Sequence, residues 1–374
     1  MNKKNPKISV LMSVYNGSSY LRESIESIQN QTFTEFEFII VEDCSTDNSA
    51  EIIAEYAEKD QRIVVIINKE NIGLTKSLNK GLKIARGEYI ARQDADDVSL
   101  PSRLQKEALL LEKHPEISLV SCDIELIDSQ GNFIGKCQRT CEPDLVSWYL
   151  LFYNRLAGHS QVMFRRQLVI ELGGYDENRR YSQDYELWSR MIDVSKIAIL
   201  PETLLKQRRH SESISASKSS EQKKYSLTQS KQNIEQLIDQ EISLEEVEYL
   251  RGFWLGHWGP ERFPDIKCIY CLNSILLKLY QSFTQQANLQ KNVRSDLSKC
   301  LRILIGKQFI YWIQAPLTRQ QGLLSKFKIS YYAFIWYPSG VPTSWLRLCW
   351  KTLWGIPKII VQPLGYRKIF MINK

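Results

Sequence analysis

From residue 291 to the C-terminus there is a single acidic side chain, Asp296, against 14 Lys and Arg. The whole chain has 49 Lys and Arg and 42 Asp and Glu, so residues 1–290 hold 35 basic and 41 acidic groups, a net charge of −6. A tail of +13 behind a mildly acidic front implies an anionic partner, and a membrane surface and a nucleic acid are both candidates. No DNA- or RNA-reading motif accompanies the charge, which argues against nucleic acid. Long apolar runs are also missing. The longest uncharged stretch of the tail, Ile329 to Leu346, is broken by Pro338, Gly340 and Pro342, so no spanning helix is expected. The start offers only the short run Ile8 to Val14, which reads as a strand and not as the core of a secretory signal. The eight cysteines form no small-domain framework, which suggests free thiols in a reducing cytoplasm. Cys268 and Cys271 make one Cys-X-X-Cys without a second pair nearby, and read as packed thiols on an apolar helix. There is no Gly-X-Gly-X-X-Gly and no Walker lysine loop, so dinucleotide binding and P-loop chemistry lack their phosphate cradle.

What is present is strand and helix in alternation. Residues 8–14 and 36–41 are apolar runs of strand length, and 62–67 and 89–91 continue the series. Between them lie Leu21, Ile25 and Ile28 at helical spacing, a helix over 50–58 and another over 74–85. Such alternation means right-handed crossovers and a mostly parallel sheet with helices on both faces. Ligands of such sheets bind beyond the carboxyl ends of the strands. Two of those ends are strongly acidic, at Glu42-Asp43 and at Asp94-Ala95-Asp96-Asp97. Further on, 101–114 reads as a helix, 117–127 as a strand, 128–132 as a hairpin turn and 145–152 as helical. A short strand over 161–164, a helix from Gln183 and a last strand over 197–200 follow.

The acidic cluster carries the chemistry. Three carboxylates within four residues repel one another unless a cation or water relieves them. Alternation along an extended chain would turn Asp94 and Asp96 to the same side, where two carboxylates can hold Mg2+ or Mn2+ and leave positions for phosphate oxygens.

The order of motifs over about residues 6–215 resembles the family 2 glycosyltransferases, inverting enzymes of the GT-A fold. Ser-Val-Tyr-Asn-Gly (13–17) is similar to the family's opening strand and turn, and Val-Glu-Asp-Cys-Ser-Thr-Asp (41–47) to its nucleotide-binding loop. Asn71-Ile72-Gly73-Leu74, with Leu78-Asn79-Lys80-Gly81 and Ala85-Arg86-Gly87-Glu88-Tyr89, resembles the approach to its Asp-X-Asp. Residues 157–166, Gly-Gly-Tyr-Asp (173–176) and Gln-Asp-Tyr-Glu-Leu-Trp (183–188) resemble its acceptor half. The resemblance implies a donor site of Ser13, Val14, Tyr15, Glu42, Asp43, Gly73, Lys76, Asp94, Ala95 and Asp96. Asp43 would accept from the base, and a divalent ion on Asp96, Asp97 and His210 would bridge the diphosphate. It also implies that Asp184 is the general base. The chain departs from the family's usual residues at Gln183, where Glu is common, and at Glu42 and Cys44, where Asp and Gly are common. Arg208 and Arg209 could screen diphosphate charge, and Trp188 is expected in the core.

The expected architecture is therefore an α/β domain over 1–218, followed by a helical, basic and aromatic region over 219–374. In that region Phe309, Tyr311, Trp312, Tyr331, Tyr332, Trp336, Trp345, Trp350 and Trp354 interleave with Lys and Arg, which suits the surface of an anionic bilayer. The implied partners are a nucleotide-sugar donor, a glycan or lipid-linked acceptor and a membrane surface touched peripherally from the cytoplasmic side. Two other readings stay open from the sequence: a sugar-phosphate nucleotidyltransferase and a non-catalytic membrane-bound glycan-binding module.

Overall fold

The computed structural model describes residues 5–139, 141–156, 158–211, 213, 219–256, 266–285, 291–314 and 323–340. The chain begins with β1 (Ile8–Val14), α1 (Ser18–Gln29), β2 (Phe36–Glu42), α2 (Ser49–Lys59), β3 (Ile63–Ile67), α3 (Leu74–Ile84) and β4 (Tyr89–Arg92). It continues with β5 (Val98–Ser99), α4 (Arg103–Lys113), β6 (Ile117–Ile127), β7 (Phe133–Cys137), α5 (Pro143–Leu150), β8 (Met163–Arg165), α6 (Arg166–Glu171), α7 (Gln183–Ile192) and β9 (Lys196–Arg208). Five further helices follow: α8 (Ser219–Ile238), α9 (Leu244–Leu255), α10 (Ile266–Gln285), α11 (Lys291–Gln314) and α12 (Leu323–Trp336).

The strands form one sheet in the order β3-β2-β1-β4-β8-β6-β9-β5, with β7 paired to β6. β1 runs parallel to β2 and β4, β2 to β3, and β6 to β9. β8 is antiparallel to both β4 and β6, which leaves the six longer-range strands pointing one way. This is the mixed, mostly parallel sheet the periodicity implies. Burial follows the pleat. Val10, Met12 and Val14 of β1 pack with Leu21, Ile25 and Ile28 of α1, Ile52 and Ile53 of α2 and Leu104 and Leu111 of α4. Leu11 faces the other way, into Leu78 and Leu82 of α3, Val146 of α5 and Leu187 and Trp188 of α7. Each fully buried aliphatic side chain contributes about 1.5–3 kcal/mol, so a register slip of β1 would expose a whole row at once.

One expectation is corrected. The last strand does not stop at Leu200. It runs on to Arg208 because Pro201 and Glu202 loop out of the ladder: Cys122 pairs with Leu200 and Asp123 with Thr203. A bulge is where proline is tolerated in a sheet. By compactness the chain divides into a unit of residues 1–257 with 276–289, and a second of 258–275 with 290–374. Helices α8 and α9 belong to the first because Ser230 and Asn233 of α8 donate to backbone carbonyls of Leu151 and Leu150.

In the second unit, α11 and α12 pack through Phe309, Trp312, Tyr332 and Trp336, which are buried. These four aromatics are therefore core, while Tyr311 and Tyr331 are exposed. Trp345, Trp350 and Trp354 lie outside the described residues. Among the described residues no helix is long and apolar enough to cross a membrane. Cys268 and Cys271 are half-buried on α10.

Candidate active site

The carboxyl ends of β1, β2, β4 and β9 share one edge of the sheet. The segment after β4 is a turn and not extended chain, so the alternation argument for Asp94 and Asp96 does not apply. The turn is tied from inside by Gln93, whose Nε2 donates to the Asp97 carbonyl at 2.8 Å and whose Oε1 accepts from Ser99 Oγ at 2.7 Å. Ser24 Oγ donates to the Asp94 carbonyl at 2.7 Å, and the Asp94 N–H donates to Ser160 Oγ at 3.0 Å. The three carboxylates then part company.

Asp94 pairs with Arg92, whose Nη2 lies 2.8 Å from Oδ1. Arg92 is wholly buried. Its other nitrogens donate to the carbonyls of Leu11 and Gln93 and to His159 Nε2. The surroundings desolvate Asp94 and raise its pKa; Arg92 opposes this, and the charges of Asp96 and Asp184 add to it. Both carboxylates therefore lie near enough to Asp94 for their charges to act on it. His159 Nε2 also meets the Tyr175 hydroxyl at 2.8 Å, and burial, then Arg92, holds the imidazole neutral. A buried guanidinium whose carboxylate partner is essential to its charge balance predicts a clear outcome. Arg92→Leu leaves Asp94 uncompensated and should cost about 3–5 kcal/mol, read from urea unfolding; a loss below about 1 kcal/mol would contradict this role.

Asp97 turns into the protein. It is 2% exposed, and Oδ1 accepts the Arg208 N–H at 2.9 Å. Burial, then Asp96 and Asp94, pushes its pKa well above the usual carboxylate range. One oxygen of Asp97 is thus engaged inside the protein. Arg208 is likewise engaged. Its Nε donates to the Asp96 carbonyl at 3.0 Å, Nη1 to the Asp128 carbonyl at 3.2 Å and Nη2 to Glu23, while the guanidinium lies 4.5 Å from the Tyr20 ring centre.

Asp96 keeps its expected company. Its Oδ2 is 2.9 Å from His210 Nε2, and Tyr20 flanks the imidazole at 5.0 Å between ring centres. Among the described residues no three His, Cys, Asp or Glu side chains converge as a ligand group. The Asp96–His210 pair still fits a divalent ion. Neighbouring ligands of an octahedral ion with ~2.1 Å bonds stand about 3 Å apart, close to the spacing here. One carboxylate with one imidazole suits Mn2+ better than Mg2+.

The loops after β1 and β2 are zipped together. The N–H groups of Asn16, Gly17 and Ser18 donate to Ser45 Oγ, Ser49 Oγ and Asp47 Oδ2 at 3.0–3.1 Å, and Asn16 Oδ1 accepts from the Thr46 N–H at 2.8 Å. Tyr15, beyond the buried Val14 and half-buried Ser13, is left exposed. Glu42 closes on its own loop, accepting from the N–H groups of Cys44 and Ser45 at 3.1 and 2.6 Å. Cys44 sits at φ 60°, a left-handed conformation that explains why glycine suits this position. Asp43 is buried and accepts three protein donors: Asn68 Nδ2 and the Ile72 N–H on Oδ1 at 2.7 and 3.0 Å, and the Gly73 N–H on Oδ2 at 2.9 Å. It thereby anchors the entry to α3, where Gly73 takes φ 86°. Lys76 is exposed on α3, and Ala95 is partly covered near Gly17.

Asp184 stands in the first turn of α7, after Ser182 at φ 54°. Oδ1 accepts the Tyr185 N–H and Oδ2 accepts Asn154 Nδ2, both at 2.8 Å. Desolvation raises its pKa above the ordinary aspartate value, against the pull of these donors. A desolvated, oriented carboxylate of this kind can take a proton from a hydroxyl. Trp188, as expected, is core. Arg92, Tyr175 and Asn154 were not among the site residues read from sequence. For Arg92 a signal existed, a charge inside an apolar strand. For Asn154 there was none.

The family model described as glycosyl transferase family 2 matches residues 9–168. An uncharacterized glycosyltransferase of Methanocaldococcus jannaschii is 41% identical over 208 residues, 54% of this chain and 71% of the relative. The amylovoran biosynthesis glycosyltransferase AmsE of Erwinia amylovora is 31% identical over 209 residues, 55% of this chain and 77% of the relative. In fold, the crystal structure of S. aureus TarS 1-349 in complex with UDP aligns with a TM-score of 0.52 at 18% identity, covering 89% of this chain and 92% of that one. The chain belongs to glycosyl transferase family 2.

Proposed function

We propose that this glycosyltransferase moves a sugar from a nucleotide-diphosphate donor, in the first instance a UDP-sugar, to a hydroxyl of a glycan or lipid-linked acceptor, with inversion. The observation that carries this is the acidic turn after β4, where Asp96 lies 2.9 Å from His210 and Asp94 pairs with the buried Arg92, with the charges of Asp96 and Asp184 both acting on Asp94. The zipped loops after β1 and β2 flank the base, with Tyr15 over it. Asp43 Oδ2, which accepts a single N–H, keeps a lone pair for an imide such as that of uracil. Glu42 and Gly73 shape that wall, and Lys76 stands near it as a counter-charge. Asp96 and His210 would hold a divalent ion, Mn2+ or Mg2+, and such an ion offsets charge on the leaving diphosphate. Asp94, neutralised in part by Arg92, faces the sugar and ribose. Asp184 takes the acceptor proton as the acceptor oxygen bonds to the anomeric carbon and the bond to the diphosphate oxygen breaks. TarS, which shares the fold, is described in complex with UDP, which favours a UDP donor, and AmsE is named for amylovoran biosynthesis, which favours a polysaccharide or glycoconjugate product. The test is a panel of UDP-, GDP- and dTDP-sugars. Turnover or slow hydrolysis of at least one, dependent on Mn2+ or Mg2+, is expected, and none with any donor would contradict the reading.

The acceptor end of this reading extends to a bilayer. In the second unit Tyr331, Phe334 and Ile335 of α12 are 44%, 36% and 39% exposed, on a region with one acidic side chain from residue 291 onward. Apolar side chains at that spacing beside Lys326 and Lys328 suit peripheral attachment to an anionic leaflet at the cytoplasmic face. Flotation with vesicles containing phosphatidylglycerol should carry the protein at low salt, and Tyr331→Ser/Phe334→Ser should release it. Equal flotation of wild type and variant would contradict this.

A further inference from the structure

Helix α5 ends in a stretch of chain whose carbonyls point into the protein. The Trp148 and Tyr149 carbonyls find backbone N–H partners at Leu151, Phe152 and Tyr153. Those of Leu150, Leu151 and Phe152 do not continue that pattern, and all three residues are buried. A helix end buried without partners for its carbonyls is costly. Here each is filled from a distant element. Asn233 Nδ2 donates to the Leu150 carbonyl at 2.8 Å, joined by the Tyr185 hydroxyl at 2.7 Å. Ser230 Oγ donates to the Leu151 carbonyl at 2.8 Å, and Arg251 Nη1 to the Phe152 carbonyl at 2.7 Å. Asn233 is held in turn by Gln229 on its oxygen, at 2.8 Å, and reaches Ser189 of α7 at 2.9 Å. Three successive carbonyls are thus gripped by α8 and α9, which lie wholly outside residues 9–168 matched by the family model.

Two residues beyond this grip is Asn154. Its Oδ1 accepts the Leu156 N–H at 3.1 Å, which fixes the amide so that Nδ2 faces Asp184 Oδ2. The acidic proton acceptor therefore has a partner set by helices that the family match does not include. We propose that Asn154 is the positioning residue of the Asp184 base, and that Ser230, Asn233 and Arg251 belong to the catalytic unit because they fix the chain that presents it. This deepens the proposed function and rests on Asp184 being the base. Asn154 orients the carboxylate and stabilises its ionised form, leaving the other oxygen directions toward the acceptor hydroxyl.

The experiment is the pH profile of kcat for full-length Asn154→Ala, Asn233→Ala and Ser230→Ala, with Ser230→Thr as the variant that keeps the hydroxyl. Loss of one hydrogen bond to a charged group moves the acid limb up by about one to two pH units. The expected result for Asn154→Ala is that shift with a fall in kcat near neutrality and an unchanged KM for donor. Asn233→Ala and Ser230→Ala should shift the limb in the same direction, and Ser230→Thr should restore it. A merely structural role would lower Tm and leave the limb in place, and that result overturns the proposal. Asp184→Asn is the control. If it turns over normally, the base reading falls and the proposal with it; if it is inactive while Asn154→Ala keeps the wild-type limb, the proposal alone falls.

Discussion

Asp184→Asn lowers kcat by about 10²–10⁴-fold, the range that a positioned general base contributes, while UDP affinity and the far-UV spectrum stay as in wild type. The reasoning is local. The substitution keeps an oxygen for the Tyr185 N–H, so the start of α7 survives. It removes the capacity to accept a proton and sets an NH2 in place of the oxygen that accepts Asn154 Nδ2. The pH dependence follows with its sign. Asp184 is raised above the ordinary aspartate value by desolvation, so it protonates earlier as pH falls than a free aspartate near ~3.9. The acid limb of the wild-type kcat profile should then lie above pH ~4, and it should be absent from any residual activity of Asp184→Asn. A full-strength Asp184→Asn enzyme, or a limb unmoved by the substitution, would remove Asp184 from the mechanism.

Asp96→Asn should have an effect of at least that size. Charge stabilisation by a divalent ion is worth several kcal/mol, and each ~1.4 kcal/mol is tenfold in rate, so a loss of about 10³-fold or more in kcat/KM is expected. The site would retain His210, flanked by Tyr20, and the Asp96 backbone carbonyl would still accept from Arg208. Folding should therefore persist while the ion's charged ligand is gone. Asp97→Asn separates this from general damage to the acidic turn. Because Asp97 Oδ1 receives the Arg208 N–H inside the protein, its substitution should act chiefly on stability, with the divalent-ion dependence of turnover retained. Urea unfolding beside Mn2+ titration of activity, run on both variants, checks the difference. Equal loss of metal dependence in the two would place Asp97 in the ligand set.

The parts of the fold that were legible are those with local causes. β1 and β2 are apolar runs with turn residues behind them, and α1 and α7 show their apolar faces at helical spacing. In the acidic turn, motif reading pointed to Asp94 and Asp96, and the structure sets Asp96 against His210. What sequence does not show is pairing between chain segments far apart. Asp97 and Arg208 are 111 residues apart in sequence, and no local pattern foretells that the Arg208 N–H donates to Asp97 Oδ1. Glu42 and Asp43 read as donor contacts at a strand end, and the sequence carries no sign that N–H groups of nearby loops would also hold them in place. The alternation argument for Asp94 and Asp96 failed because Gln93 folds the segment into a turn. Asn154 carried no motif at all. Its role arises from helices read from composition as an appendage beyond residue 218. With the chain placed in a family of glycosyltransferases, the nucleotidyltransferase and non-catalytic readings lose their ground.

We propose that Asp96 and His210 would hold a divalent ion at the diphosphate of the bound nucleotide. Isothermal titration of UDP into the protein, with Mn2+ and again with EDTA, tests it most directly when repeated on Asp96→Asn and Asp184→Asn. The account predicts binding that needs Mn2+, that is lost in Asp96→Asn and that is retained in Asp184→Asn. UDP binding of equal strength in EDTA, or undiminished in Asp96→Asn, would contradict it.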